Sequence, residues 1–407
     1  MPALHKIRPN IPILVGAAGM LTLSMGIRQS LGLFLQPVTK DLALSVSDFA
    51  LALSLQNLSW GLFQPITGAI VARLGFRPIL VGGAFLYLAG LATLAGAQGT
   101  ISIAFGAGFL IGSALACTAS AMAQATASRA VPAAARSMVL GIITGAGSLG
   151  ALAAAPIGQS VTAAFGWRFG VLAICALALF LLPAAWLAGR VDQIDVLRAT
   201  GDEIADVTVV SAIRSALRRG PFLVMTAAYF VCGMQLLFIT THLPSYLAIC
   251  GMDPMLSAEA LSVIAVFNVF GSLFFGWAGG HWSKLALLGS IYVIRSLVLG
   301  WYFMAPPTPG GTLVFAAMMG FLWLGVGPLV AGSVVEMFGL RWQAMIQGLA
   351  FTSHQLGSFV GAFGAGHLFD MLGSYDLAWR LGVGIGLAAG FIQIFAALAW
   401  SPRYAAA

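Results

Sequence analysis

Few residues in this chain carry charge, and two that do lie deep inside apolar runs. Arg28 falls about 17 residues into an uninterrupted apolar stretch, and Arg295 near the middle of another. A guanidinium in hydrocarbon is costly and needs a reason to be there. Arg28 presents five N–H donors in a rigid fork that matches a carboxylate, so its chemistry is that of an anion site. Arg295 has no carboxylate near it in its own run. It reads as a structural intramembrane charge, bonded to backbone carbonyls or steadying the turn ahead of it. His354 stands mid-run and His242 sits in Thr240-Thr241-His242-Leu243-Pro244. Both side chains titrate near neutral pH, which makes them the proton-coupling candidates. His281 and His367 fall at run ends. Neutral polar groups at similar depth are Gln29, Gln56, Asn57, Gln124, Thr144, Ser148, Gln235, Asn268 and Gln355. Any one could be interhelical glue worth about 0.6 kcal/mol, but their spread over many runs suits a shared polar cavity. The substrate-binding set read from these positions is Arg28, Gln29, Asn57, Gln235, Asn268, His354 and Gln355. Acids are scarce where a proton relay would want them, with Glu336 and Asp370 near run ends. No Gly-rich phosphate loop is followed by Lys-Ser/Thr, no His/Cys/acid cluster has metal spacing, and no mid-run pair of acids or Ser-His set suggests an enzyme. The expectation is a non-enzyme with no cofactor and no metal.

The elements that hold these residues follow from composition. The chain has 407 residues, 60% of them hydrophobic and only 8% charged, with mean hydropathy +0.98. A soluble surface needs roughly 25% charged residues, so lipid is the solvent here. Apolar runs of about 20 residues without period-two polarity exclude a barrel and leave helices. Reading between charges and turn residues gives twelve spans, at 11–36, 48–72, 78–98, 101–127, 137–160, 168–189, 221–248, 257–280, 284–304, 311–335, 343–370 and 376–400. The narrowest divisions are Gln98-Gly99-Thr100 between spans 3 and 4, and His281-Trp282-Ser283 between spans 8 and 9. A polar stretch at 190–220 reads as a linker, so the domains expected are 1–189 and 221–407. The first run, preceded by His5, Lys6 and Arg8, is a membrane span rather than a cleaved signal. Cys117, Cys175, Cys232 and Cys250 lie in or beside apolar runs and read as packing residues.

The net charge of +7 is a matter of topology rather than of a nucleic-acid partner. Of the 19 basic residues, 14 lie on the side of the N-terminus, three (Lys40, Arg168, Arg380) on the other, and Arg28 and Arg295 within spans. By the positive-inside rule both termini and the linker are cytoplasmic, in a cell membrane (the inner membrane if the source is bacterial). The halves also repeat. Gly26, Gly141 and Leu149-Gly150 recur as Gly233, Gly348 and Leu356-Gly357 at an offset of 207, and Trp167-Arg168-Phe169-Gly170-Val171 recurs as Trp379-Arg380-Leu381-Gly382-Val383 at 212. The fold class expected is an all-α membrane protein of twelve helices in two six-helix pseudo-repeats.

At this point the chain resembles the major facilitator superfamily of transporters over essentially its whole length. The loop between spans 2 and 3, with Gly68, Arg73, Gly75 and Arg77, is similar to that superfamily's cytoplasmic loop signature, with Ala72 where the signature has an acid. Within the superfamily the chain resembles the monocarboxylate-transporter branch and its bacterial relatives, through Gly26 to Phe34 in span 1 and Ser353-His354-Gln355-Leu356-Gly357 in span 11. In span 8, Asn268 and Ser272 stand where that branch places an acid and an arginine, and the drug-antiporter Gly-Pro-x-x-Gly-Gly pattern is absent from span 5. The resemblance implies a secondary transporter of a small organic anion, a monocarboxylate, carried with protons by alternating access. In that reading Arg28 neutralises the substrate, while His354 and Gln355 meet it from the other half. The partners expected are the anion, protons and the bilayer, for a monomer. An exporter of amphipathic or drug-like compounds by proton antiport is the first alternative, and a non-transporting sensor the second.

Overall fold

The computed structural model describes residues 8–194, 208–304 and 306–400; the acids of the linker from Asp195 to Asp206 fall outside them. Among the described residues there is helix and no strand. We label the long helices α1 (Arg8–Asp41), α2 (Val46–Leu74), α3 (Phe76–Ala95), α4 (Thr100–Ala130), α5 (Ala133–Phe165) and α6 (Trp167–Gln193). A short helix, Val209–Arg218, then leads into α7 (Gly220–Ile249), α8 (Pro254–Ala278), α9 (Lys284–Phe303), α10 (Pro309–Phe338), α11 (343–372) and α12 (Asp376–Trp400). Ten of the twelve are long and apolar enough to cross a membrane by length and composition. The other two, α2 and α11, carry Gln56, Asn57, Ser59 and Gln64, and Gln343, Gln347, Ser353, His354 and Gln355. Their hydropathy is lowered by the residues of interest.

The divisions have local causes. Ser45 starts α2 by accepting from Asp48 N while Asp48 bonds back, a capping box that satisfies two orphan amides. Between α2 and α3 the chain turns on Gly75 at φ 85°, a conformation that strains any side chain. Ala119, extended at ψ −157°, breaks α4 between Thr118 and Ser120. Two π-turns, Ala104–Leu110 in α4 and Val360–Gly364 in α11, interrupt their helices.

Contacts group the chain into two units. Unit 1 is Met1–Val209 with Leu340–Gly348, and unit 2 is Val210–Gly339 with Leu349–Ala407. The short segment Leu340–Gly348, placed by sequence in the second half, therefore packs with the first. Gln343 donates to Ser128 Oγ (3.0 Å), Gln347 to Gln124 Oε1, and Arg129 to the carbonyls of Leu340 and Arg341 (3.1 and 3.3 Å). Within each unit the repeat is visible as a glycine seam. In unit 1 a Cβ on Gly150 would lie 1.8 Å from Thr22 O, and one on Gly26 2.2 Å from Gly150 C, so α1 and α5 meet backbone to backbone. In unit 2 a Cβ on Gly357 would lie 1.9 Å from Phe230 O, and one on Gly233 2.0 Å from His354 O, which closes α7 on α11 in the same way.

Candidate functional site

In unit 1, α1 and α2 bring Arg28 and Asn57 together. Arg28 Nη2 donates to Asn57 Oδ1 at 2.6 Å, and the guanidinium lies over the Trp60 ring, 5.3 Å from its centroid. Asn57 and Trp60 are three residues apart on α2 and share a face. Trp60 is fixed in turn, since its Nε1 donates to Gln64 Oε1 (3.1 Å), whose amide donates to Ala116 O (2.9 Å). Arg28 Nε is buried without a hydrogen-bond partner. Asn57 Oδ1 is a neutral acceptor, so the geometry positions the cation without cancelling its charge. Gln29, next in sequence, points about 100° further round the helix and is exposed.

In unit 2 the polar residues fall into separate groups. His354 and Gln355 adjoin on α11, with His354 Nδ1 3.3 Å from Gln355 Oε1, which also accepts from Ser358 Oγ (3.4 Å). The imidazole is flanked by Tyr229 (4.6 Å between centroids) and stacked on Phe351 (5.5 Å, 9°).

Gln235 lies elsewhere, and sequence reasoning assigned its surroundings differently. Its Oε1 accepts from Arg295 Nε at 2.8 Å, while its Nε2 donates to Ser296 Oγ (3.0 Å) and Gly382 O (2.8 Å). Arg295 is fully buried, reaches Cys232 Sγ at 3.3 Å through Nη1, and leaves Nη2 without a partner. The charge is thus held by side chains of α7, not by backbone carbonyls or the turn before α9. Asn268 is buried and its Oδ1 has no partner, while Ser272 bonds back to Val269 O (2.9 Å). His242 is engaged on both ring nitrogens, Nδ1 with Tyr375 Oη (3.2 Å) and Nε2 with Ala362 O (2.8 Å). A carbonyl requires the proton on Nε2, so Nδ1 accepts from the tyrosine and the neutral ring is satisfied.

The loop motif between α2 and α3 acquires a partner that its own sequence lacks. Gly68 is required by close packing, since a Cβ there would lie 2.4 Å from Met345 N. Arg73 is exposed, and Arg77 covers the Trp186 ring at 4.6 Å. Asp192, at the end of α6, accepts from the amides of Phe76 (2.7 Å) and Arg77 (2.8 Å) and caps α3. It also attracts Arg129. A carboxylate therefore serves this loop although position 72 is alanine. Nothing local in sequence points to it, since Asp192 is 116 residues from Phe76.

Two six-helix halves of like packing, each apolar outside and holding isolated polar groups within, define a polytopic membrane carrier built by duplication. The family model of the Major Facilitator Superfamily matches residues 17–362, and the chain belongs to that superfamily of transporters. It is 27% identical over 329 residues to rat monocarboxylate transporter 13, covering 78% of this chain and 72% of the relative. To mouse monocarboxylate transporter 11 it is 28% identical over 389 residues, covering 91% and 84%. Its fold matches the crystal structure of the E. coli fucose:proton symporter FucP with a TM-score of 0.72, at 15% identity and over 95% of this chain and 99% of that one. These are transporters, not enzymes.

Proposed function

We propose that this transporter carries a small monocarboxylate anion together with a proton, by alternating access. The observation that carries the reading is Arg28, a half-buried guanidinium oriented by Asn57 and Trp60 and paired with no acid among the described residues. A cation at that depth is stabilised when a carboxylate arrives to accept its donors, bidentately where geometry allows. The names of the two monocarboxylate-transporter relatives support the same substrate class. Movement of an anion into a cell interior of negative potential requires a compensating charge, which a symported proton supplies. In this reading His354 takes that proton, and Gln235 belongs to the support of Arg295 rather than to the substrate. Both termini lie in the cytoplasm.

Uptake of labelled carboxylates into proteoliposomes, with and without an inward proton gradient, tests the proposal. Uptake should rise with the gradient. A charged hydrogen bond contributes about 1.5–3 kcal/mol, so Arg28→Ala should lower uptake roughly 10- to 100-fold and Arg28→Lys by less. Failure of every monocarboxylate, or full uptake by a folded Arg28→Ala, overturns it.

A further inference from the structure

The helix Val209–Arg218 has no place in the transport chemistry, yet its sequence is strongly sided. Ala212 and Ala216, one turn apart, are its buried residues. Val210 and Leu217, two turns apart on the neighbouring face, are exposed at 67% and 56%. Arg214 and Arg218 follow on the next face and are also exposed, and no acidic residue lies between Thr208 and Gly220.

Its position is set by its neighbours. It runs directly into α7, and Arg219 donates to Met337 O and covers the Phe338 ring (5.3 Å), at the last turn of α10. The start of α7 and the end of α10 share one face of unit 2 with the turn between α8 and α9, where Lys284 pairs with Glu336. That turn carries a cluster of half-exposed aromatics. Trp277 lies 4.8 Å from His281 and 5.4 Å from Trp282. Such aromatics mark the level of the headgroups. A helix at that level, apolar on one exposed face and cationic on the next, has the composition of an in-plane interfacial helix.

We propose that Val209–Arg218 lies in the membrane interface and binds anionic phospholipid headgroups, with Val210 and Leu217 in the acyl boundary and Arg214 and Arg218 on the phosphates. A basic residue near an anionic surface is attracted strongly enough to change lipid affinity about fivefold. The inference does not depend on the transported substrate.

Native mass spectrometry of the full chain, exchanged between phosphatidylglycerol and phosphatidylcholine, reads the preference. The wild type should retain phosphatidylglycerol, and Arg214→Gln with Arg218→Gln should lose most of that selectivity, about fivefold for each. Undiminished selectivity in the folded double variant would overturn the proposal. A nitroxide on Leu217→Cys, in a background lacking Cys117, Cys175, Cys232 and Cys250, gives a second reading in phosphatidylglycerol-containing nanodiscs. It should report shallow immersion in lipid; a water-exposed label, or one shielded from both lipid and water by protein, would refute the placement.

Discussion

Arg295 and Arg28 carry the same charge in similar membrane depth but differ in what surrounds them. Gln235 stands 207 residues after Arg28, the offset that relates Gly26 to Gly233, and Arg295 stands 208 after Tyr87. Tyr87 bonds Ser24 O (2.8 Å) on α1, as Arg295 bonds Gln235 on α7. The second half thus holds its cation on the third helix of the repeat and a neutral amide on the first. Arg295 is enclosed, and Gln235 supplies its one strong acceptor. Gln235→Leu should cost about 1.5–3 kcal/mol, because it removes the hydrogen bond that a buried charge makes. Adding Arg295→Met should recover most of that loss by removing the charge itself. Unfolding midpoints in one detergent measure both, and a double variant as unstable as Gln235→Leu would show that the pair is not the reason. Asp192 acts at the surface and its effect is smaller. Asp192→Ala should cost about 1 kcal/mol through the lost cap on α3, with Asp192→Asn nearer the wild type, read by the same midpoints. The glutamine and arginine were legible as polar residues in apolar runs, but their pairing was not. A side chain's partners across helices depend on rotation about each helix axis, which a run of apolar residues leaves open.

Within helices, the two π-turns explain polar residues that look functional in sequence. A π-turn releases a carbonyl from the regular ladder, and in hydrocarbon that oxygen must find another donor. In α4, Ala107 O accepts from Gln56 Nε2 of α2 at 2.7 Å; in α11, Ala362 O accepts from His242 Nε2 of α7 at 2.8 Å as well as from the amide of Ala365. Gln56 and His242 are thus donors supplied to irregular backbone. Gln56→Leu should cost about 1–3 kcal/mol by stranding the carbonyl of Ala107, while leaving the KM for substrate near the wild-type value in the protein that folds. A changed KM with unchanged stability would reverse that assignment. The glycine seams are a second feature of elements, and they were legible because they repeat. Gly150→Ala and Gly357→Ala should each force α1 from α5, or α7 from α11, whereas Gly82→Ala, with nothing within 4 Å of the added carbon, should be silent. Yield of folded protein by size-exclusion chromatography separates these outcomes. Hydropathy alone overlooks α2 and α11, yet the charges and turn residues that bound them place both in the sequence. Neither π-turn leaves such a mark, since it inserts one residue into a helix without changing its composition.

Across the whole molecule the clearest sequence signal is the asymmetry of basic residues, and the helix order allows a direct test of what it implies. Read with twelve spans, 14 of 19 Lys and Arg fall on the N-terminal side, and three on the other. An even number of crossings returns the C-terminus to the side of the N-terminus, as the antiparallel succession of helices within each unit requires. The turn after α3, at Gly96 to Gly99, and the turn after α8, at Gly279 to Ser283, then face opposite sides. Single cysteines introduced at Gln98 and at Ser283, in a background lacking the four native ones, should respond differently to a membrane-impermeant maleimide added to intact cells. Gln98→Cys should label from outside and Ser283→Cys only after permeabilisation. The reverse pattern would place the basic surface, with Arg214 and Arg218, outside the cell.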